Sequence, residues 1–492
     1  MFDDLIIFEM ANNHQGSIKH ATNIVSTYSK ISKKFSINAA IKLQYRDIPN
    51  FISKKELKIK KNKHVDRFLE TNLKRDEFKI ISKNIKKSDL KLIITPFDEI
   101  SVENAIDDDV DILKIASCSA NDWPLIEKIA SFDKPIIFST GGQPIEEIDN
   151  LYSFLTHKNK IFSIMHCISV YPTDLENAQL NQIKRLSERY PDIKIGYSGH
   201  EKPEDYITSL VAVGVGSNLF ERHIGIPTKK FKLNKYSMNP KQTEGWVTNI
   251  LNAKKTLKNQ NNKIITNTEI DSIKNLQRGV FLKKSIKKGQ MVKHDDVYFA
   301  FPLEKNQMPS GSFIPNIKSN KQYAKDQPLM DLNVIRKSKK IREHIHHYKG
   351  MLNEANITVG NFEGMELSHH YGINKFNKFG IFMITFFNNF YCKKIVCLLA
   401  GQRNPLHRHF KKTESFHILH GELLLILNDI KYILKKGDTI TIDKGMWHEF
   451  KSEIGCIFEE ISTKHIIGDS EYKDRKINSL DTYERKTKIE IW

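Results

Sequence analysis

The chain has 492 residues, of which 39% are hydrophobic and 27% charged, and its formal net charge is +19. This balance is that of ordinary folded, soluble proteins, and the length exceeds the ~250–300 residues at which single cores stop growing, so we expect two or three domains. No stretch reaches the ~18 apolar residues of a membrane span, and the N-terminus has no signal-peptide pattern. The five scattered cysteines form no disulfide framework. A cytoplasmic protein is therefore expected.

The net charge of +19 has two interpretations. A basic protein can attract nucleic acid, phosphates or carboxylates. The lysines, however, are spread along the whole chain, and no nucleic-acid motif accompanies them. We therefore interpret the charge mainly as composition and expect no nucleic-acid partner.

The first 225 residues alternate between short apolar runs and amphipathic, lysine-rich segments long enough for a helix. Eight such units in this length predict a (β/α)8 TIM barrel rather than an open sheet. The eight runs are Leu5–Phe8, Ala39–Leu43, Leu92–Thr95, Ile112–Ile115, Pro135–Phe138, Ile161–Met165, Ile193–Gly196 and Asn218–Phe220.

Nearly every run ends in residues capable of chemistry. Because the C-terminal ends of TIM-barrel strands converge on one site, these residues are predicted to form a single constellation. They are Glu9, Asn12, Asn13 and His14; Lys42 and Gln44; Thr95; Lys114 and Ser117; Ser139 and Thr140; His166, Ser169 and Tyr171; Ser198 and His200; and Glu221, Arg222 and His223.

The remainder of the chain is predicted to change character twice. A helical stretch, Pro240–Leu257, and a polar connector, Asn259–Asn262, precede RGVFLKKSIKKGQMVKHDDVYFAFP, whose short runs and Lys-Lys-Gly turn predict a small β-rich module. The basic stretch at 336–350 is interpreted as a linker or solvated helix. From Phe379 onward, short β-like runs separated by turns such as His420-Gly421 predict an all-β sandwich or barrel. The charged segment from about 466 to 492 is expected to be a solvent-exposed tail.

The C-terminal region carries two motifs that resemble those of the cupin domain. GQRNPLHRHFKKTESFHILHG and GDTITIDKGMWHEF place three histidines and one glutamate at cupin spacing. Alternation along a strand puts His407 and His409 on the same side, and Glu414 and His448 can complete a metal site. Such a nitrogen and oxygen set suits Mn, Fe, Ni or Zn. A structural cupin without a working metal site is the alternative.

The barrel region resembles the sialic acid (N-acetylneuraminate) synthase family. FEMANNHQGS is similar to the opening motif of the family, and KLQ, TPFD, LKIAS, FSTGG, MHCISVYPT, GYSGHE and ERHIG are similar to its later motifs, in the same order. The resemblance covers about 1–230. It implies condensation of phosphoenolpyruvate with an open-chain N-acyl amino sugar to a sialic-acid-like nonulosonic acid and phosphate, for surface glycans, with a divalent metal, usually Mn2+.

The resemblance also assigns roles. His200 and His223 would hold the metal, and Glu9 would orient the sugar or handle a proton. The cations and hydroxyls expected around phosphoenolpyruvate are Lys42, Lys114, Thr95, Ser117, Ser139 and Ser198. Gln44 would orient the substrate. The residues expected on the sugar side are Asn13, His14 and Tyr171.

Several motifs depart from the family pattern on the sugar side. Ser119 stands where several members carry a glutamate, and MHCISVYPT has Ile168-Ser169 where the family often has Thr-Asn. Phe301 precedes Pro302 where an Arg-Pro-Gly is usual. These departures predict an acceptor other than the standard N-acetyl sugar.

The segment from about 276 resembles the small SAF, or antifreeze-like, domain that follows the barrel in these synthases. The resemblance implies a homodimer in which the SAF domain is swapped over the barrel of the partner. The predicted layout is therefore a multidomain chain: a TIM-barrel synthase domain at 1–260, an SAF domain at 275–335, a basic linker at 336–360, a cupin at 361–465 and a charged tail at 466–492.

Two other functions stay open at this point. The barrel could have lost catalysis and bind a sugar or phosphoenolpyruvate, since its sugar-side residues depart from the family. Alternatively, the cupin could be the main catalyst, as a sugar isomerase or epimerase with an accessory barrel.

Overall fold

The structure is a computed structural model that describes residues 1–59, 61–257, 263–313, 315–330, 337–360, 364–480 and 485–489. It divides into two compact units, Met1–Ile264 and Ile265–Trp492. The predicted connector Asn259–Asn262 lies outside the described residues. The predicted domain borders at 335–336 and 361 also lie outside them.

The first unit is a closed barrel of eight parallel strands in sequential order, which confirms the predicted fold. Parallel pairing of β1 with both β2 and β8 closes it. The strands are β1 (Leu5–Glu9), β2 (Ala39–Tyr45), β3 (Lys91–Pro96), β4 (Ile112–Ile115), β5 (Ile136–Ser139), β6 (Phe162–Cys167), β7 (Lys194–Gly199) and β8 (Leu219–His223).

Helices cover the outside of this barrel, because alternate strand residues such as Ile6 and Phe8 pack outward against apolar helix residues such as Ile24. The helices are α1 (Ile18–Phe35), α2 (Ile48–Phe51), α3 (Lys54–Ile59), α4 (Lys63–Glu70), α5 (Arg75–Lys87), α6 (Glu99–Asp107), α7 (Trp123–Ala130), α8 (Ile145–His157), α9 (Asn181–Arg189), α10 (Ile207–Gly214) and α11 (Pro240–Thr256).

The second unit begins with helix α12 (Asn267–Lys274) and a small β-rich module. Two antiparallel pairs, β9 with β11 and β10 with β12, enclose a core that includes Val280, Leu282 and Tyr323. The strands are β9 (Gly279–Leu282), β10 (Met291–Val292), β11 (Val297–Ala300) and β12 (Ile317–Lys318).

The C-terminal domain is built from antiparallel strands, as predicted. Its sheet order is β22-β16-β20-β17-β21-β15-β14-β13-β23, with β18 and β19 paired to β17. The strands are β13 (Met365–His369), β14 (Gly380–Asn388), β15 (Tyr391–Leu398), β16 (Arg403–His409), β17 (Glu414–Leu427), β18 (Ile430–Lys435), β19 (Thr439–Ile442), β20 (His448–Lys451), β21 (Cys456–Thr463), β22 (Ser470–Tyr472) and β23 (Lys486–Ile489), with short helices α14 (Phe376–Phe379) and α15 (Arg475–Asn478).

Strand β17 differs from the sequence expectation of a turn at His420-Gly421. The strand continues through both residues, and its register against β21 shifts between Ile418 and His420. Gly421 has φ +75°, and a Cβ there would lie 2.0 Å from the carbonyl oxygen of Gly455. This segment is therefore a bulged part of one strand rather than a turn between two, and the glycine permits the close approach to Gly455.

The stretch at 336–350 and the segment after 466 also differ from expectation. Helix α13 (Lys337–Glu354) buries Tyr348 and Leu352 in one cluster with the strands. Strand β23 pairs with β13, and its Ile489 is buried in the same cluster. Charged residues alternate with core-facing residues in both segments, so composition alone suggested solvent exposure where one face is packed.

Candidate functional site

Strand alternation places most of the predicted barrel residues at the C-terminal ends of the strands, facing inward. One cluster inside the barrel takes an apolar residue from each of seven strands, including Ile7, Ala40 and Ile112. Side chains two positions further along a strand face the same side. Those positions hold Glu9, Lys42, Thr95, Lys114, Ser139, Cys167 and Glu221, and β7 places Ser198 at the same level.

A buried charge network occupies the centre of this ring. The Nζ of Lys42 lies 2.6 Å from Oε2 of Glu9 and 2.8 Å from Oε1 of Glu221. The Nζ of Lys114 lies 3.6 Å from Oε2 of Glu221, and the hydroxyl of Ser198 donates a hydrogen bond to Oε1 of Glu221 over 2.9 Å. Burial alone would raise the pKa of Glu221, but the two lysines lower it far below its ordinary value. Glu221 is therefore ionised and holds both ammonium groups together.

Other predicted phosphate-side groups surround the network. Thr95 is buried, and its hydroxyl has no hydrogen-bond partner among the described residues. The hydroxyl of Ser117 accepts from the amide of Gly141 over 3.0 Å, and Ser139 is buried. Gln44 donates its amide to Oε1 of Glu9 over 3.2 Å. Their predicted roles in binding phosphoenolpyruvate stay predictions.

The two histidines predicted as metal ligands lie next to each other. The ring centroids of His200 and His223 are 5.4 Å apart. Nδ1 of His200 lies 3.0 Å from the carbonyl oxygen of Ile168, so it can donate there and leave Nε2 for a ligand. Burial, and then the charge of His200, hold the pKa of His223 well below its ordinary value. Nδ1 of His223 is buried and has no hydrogen-bond partner in the described part of the chain. Two adjacent imidazoles with ring nitrogens available for a ligand fit a divalent metal.

Aromatic rings cover the histidine pair. The ring of Tyr171 lies 4.3 Å from that of His200, and the ring of Tyr236 lies 5.0 Å from that of His223. Tyr171 was predicted on the sugar side, whereas Tyr236 and Glu221 were given no role. Tyr236 lies in the irregular segment after β8, which carries no motif, so only its proximity reveals it. Glu221 was detectable from alternation, because it precedes His223 by two residues on one strand.

Two of the residues predicted on the sugar side, Asn13 and His14, make hydrogen bonds to other parts of the barrel. The amide of Asn13 donates to the carbonyl of Ile224 over 2.8 Å and to the hydroxyl of Ser237 over 3.0 Å. It thereby fixes the segment after β8. His14 is buried, and burial lowers its pKa to about 4. Its Nδ1 accepts from the amide of Gly16 over 3.2 Å.

The predicted histidines of the C-terminal domain converge on one point. Nitrogen atoms of His407, His409 and His448 all lie within 4.8 Å of one another. Nδ1 of His407 lies 2.9 Å from the carbonyl of Pro405, and Nδ1 of His448 lies 3.1 Å from that of Met446, which leaves both Nε2 atoms facing the centre.

Glu414 completes this cluster. Its Oε1 lies 3.0 Å from Nε2 of His448 and 3.8 Å from Nε2 of His409. Both Oε1 of Glu414 and Nε2 of His448 are buried without a hydrogen-bond partner among the described residues. Two such atoms 3.0 Å apart fit neighbouring ligands of one bound cation. The domain therefore holds a group of side chains that could bind a metal ion.

Comparison with known proteins matches both units. A sequence model of the NeuB family matches residues 32–262, and one of the cupin domain matches residues 394–454. An uncharacterised protein of Methanocaldococcus jannaschii is 31% identical over 60% of this chain and 84% of that protein. The N-acetylneuraminate-9-phosphate synthase of Drosophila melanogaster is 29% identical over 51% of this chain and 68% of its own length. A crystal structure of a candidate spore coat polysaccharide biosynthesis protein E from Chromobacterium violaceum is 36% identical, with a TM-score of 0.63, over 66% of this chain and 98% of that chain.

Proposed function

The chain belongs to the NeuB family, and on that premise we propose that its barrel condenses phosphoenolpyruvate with an N-acyl amino sugar. One water would be consumed, and the products would be a sialic-acid-like nonulosonic acid, for surface glycans, and inorganic phosphate. The observation that carries this proposal is the buried pair of ammonium groups, Lys42 and Lys114, held by Glu221 beside two metal-competent histidines.

The charge network presents two ammonium groups to an anion. Lys42 and Lys114 are both buried, and the carboxylates of Glu9 and Glu221 hold them in place. Charge-assisted hydrogen bonds are strongest where water is excluded. The free hydroxyl of Thr95 and that of Ser139 would add donors for the phosphate. These residues would bind and orient phosphoenolpyruvate.

His200 and His223 would hold a divalent ion, which we propose to be Mn2+. When bound there, the ion supplies a Lewis acid for the carbonyl group of the acceptor. Glu9, fixed between Lys42 and Gln44, is assigned to orienting the acceptor or handling a proton at its hydroxyl groups. Tyr171 and Tyr236 would help to exclude water from the pair of histidines.

Phosphate release from phosphoenolpyruvate tests this function. The full chain, loaded with Mn2+, is assayed with a panel of N-acyl hexosamines. We expect release with at least one of them and loss of turnover in His223→Ala. His157→Ala, an exposed histidine on α8, is the matched control and should keep wild-type turnover. Tight binding of phosphoenolpyruvate, with no phosphate released in the presence of any of the sugars, would instead favour a barrel that binds without catalysis.

In the C-terminal domain we propose a second divalent transition metal, Mn, Fe, Ni or Zn, held by His407, His409, Glu414 and His448. The support is the convergence of these side chains and their unpaired buried atoms. This ion would be a second metal per chain, separate from that of the barrel.

We also propose a homodimer in which the β-rich module, about 275–335, is swapped over the partner barrel. The family resemblance motivates this proposal. Light scattering after size exclusion should give twice the chain mass of 57.1 kDa. A single-chain mass at working concentration would contradict it. Within the described residues, no helix combines the length and apolar character required to cross a membrane.

A further inference from the structure

The C-terminal domain contains a cavity of about 430 Å³ whose lining reaches beyond the four metal-competent side chains. This volume lies within the range of ligand pockets for small molecules, about 300–1,000 Å³. His407, His409 and Glu414 line one part of it, and the C-terminal strand β23 lines another. A cluster of ligands for a metal alone would not require so large a space.

Strand β23 brings cations into this cavity. Its register places Lys486 opposite Ser368 and Lys488 opposite Glu366 on β13. Because strand residues alternate, Lys486 and Lys488 share one face and line the cavity, whereas Ile489 packs into the core on the other face. Lys486 is paired with Glu366 over 2.7 Å.

Arg485, which directly precedes Lys486, lies near the histidine cluster through the ring of Tyr472. Its guanidinium lies 5.6 Å from the ring centroid of Tyr472, and that ring stacks against His407 with centroids 5.4 Å apart. Nε of Arg485 is buried and makes no hydrogen bond to any described residue. A buried, unsatisfied donor that lines a cavity is suited to an acceptor on a ligand.

A second group of charges lies on β15, β21, the start of β17 and the segment just before it. Lys412 pairs with Glu414 and, over 2.9 Å, with Glu460, and Lys394 lies 3.5 Å from Glu460. The described lining residues thus include five lysines and arginines against three glutamates: Lys394, Lys412, Arg485, Lys486 and Lys488 against Glu366, Glu414 and Glu460. The excess of two positive charges favours an anion even before a metal adds its own charge.

Apolar side chains lie between the charged groups. Ile381, Met383 and Val396 project into the cavity from β14 and β15, and Phe416 and Phe450 add aromatic surface. Such surfaces contact the C–H faces of a sugar, while the charged groups contact its polar substituents. The combination fits a carbon skeleton with one anionic substituent and several hydroxyl groups.

We infer that the cupin cavity binds an anionic sugar, with its carboxylate or phosphate against Arg485 and Lys488 and its hydroxyl groups toward the histidine cluster. The barrel would itself release a sugar carboxylate, so the two sites of one chain would share a ligand class; this link, unlike the cavity assignment, rests on the proposed function. The cupin would then be a second sugar site, which either consumes or senses an acidic sugar.

Calorimetric titration of the Mn2+-loaded full chain tests the assignment. The probes are N-acetylneuraminate, which carries a carboxylate, glucose 6-phosphate, which carries a phosphate, and neutral N-acetylmannosamine. We expect at least one anionic sugar to bind about tenfold more tightly than the neutral one, the usual effect of one charge-assisted contact. Whichever of the two anionic sugars binds more tightly shows whether the cavity prefers a carboxylate or a phosphate. Equal affinity for all three sugars would overturn the inference.

Variants locate the binding in the cavity. The double variant Arg485→Ala with Lys488→Ala should bind the anionic sugar more weakly than wild type, by about tenfold or more. Lys488→Arg keeps the charge, so it should retain most of the affinity that Lys488→Ala alone loses. Lys431→Ala, an exposed lysine on β18, is the matched control and should bind like wild type. Thermal unfolding and metal content confirm that each variant is folded; should the double variant not fold, Lys488→Ala against Lys488→Arg decides. Unchanged affinity in the folded alanine variants would contradict the proposed site. Absence of phosphate release in the barrel assay would overturn the proposed condensation and leave this binding result standing.

Discussion

Lys42 and Glu221 face each other across β1, since they lie on β2 and β8, the two strands that flank it, and their charged groups are 2.8 Å apart. Closure of the barrel is what brings them together. Without substrate, Glu221 contacts both buried lysines, and Glu9 is a second carboxylate on Lys42. With an anionic substrate present, the lysines would have a second partner.

Replacement of Glu221 by Gln should therefore destabilise the substrate-free chain. Two buried ammonium groups would lose their shared counter-ion, and removal of one partner from a buried ion pair costs about 3–5 kcal/mol. Added phosphoenolpyruvate should raise the melting temperature of the variant more than that of wild type, because it replaces the missing negative charge. Thermal unfolding with and without phosphoenolpyruvate measures both effects.

Glu188→Gln serves as the control for this experiment, because Glu188 is an exposed residue on α9 whose side chain is 68% accessible. It should melt like wild type. An equal response of both variants to phosphoenolpyruvate would argue against Glu221 as the residue that positions the lysines.

Metal content gives a second prediction. Two separate histidine sites predict two divalent ions per chain after loading, measured by elemental analysis. His223→Ala should remove the barrel ion alone, and His448→Ala the cupin ion alone, because each loses a nitrogen ligand. Loss of both ions from either single variant, in a chain that stays folded, would contradict two independent sites.

The sequence predicted which side chains gather at the strand ends, because two simple rules specify their positions. Strand ends converge, and alternation puts Glu9, Lys42 and Lys114 on the inner face. Neither rule extends to residues in irregular segments, so Tyr236 was found only from its distance of 5.0 Å to His223. Charge patterns were also insufficient for β23, where Lys486 and Lys488 line a cavity and Ile489 is buried in the core. Whether a charged strand is packed on one side depends on its partner, and β13 is more than a hundred residues away in sequence.

Asp108 gives a prediction for the stability of the barrel. Its carboxylate accepts two hydrogen bonds from Arg75, each of 2.7 Å, and one of 2.7 Å from the hydroxyl of Tyr45. Asp108→Asn removes the charge that joins α5, α6 and β2. We expect a loss of about 3 kcal/mol, seen as an earlier urea midpoint for the barrel. Asp107→Asn, an exposed neighbour, should leave the midpoint in place; a shift of the same size in both variants would show that the buried network is not the cause.

Glu460 gives a prediction for pH dependence in the cupin. Burial alone would raise the pKa of Glu460, yet Lys394 and Lys412 lower it from 4.5 to about 2. A carboxyl group whose pKa is depressed on folding adds stability that is complete above about pH 4.5 and is lost as the pH falls toward 2. Glu460→Gln should therefore lower the unfolding midpoint of the metal-free chain at pH 7, and the gap to wild type should shrink between pH 5 and pH 3. Glu459→Gln, the next residue on β21, pairs only with the half-exposed Lys393 among the described residues and should show little gap at either pH. A gap for Glu460→Gln that is the same at both pH values would mean that its charge contributes nothing to the fold, and that the two lysines are balanced by other groups.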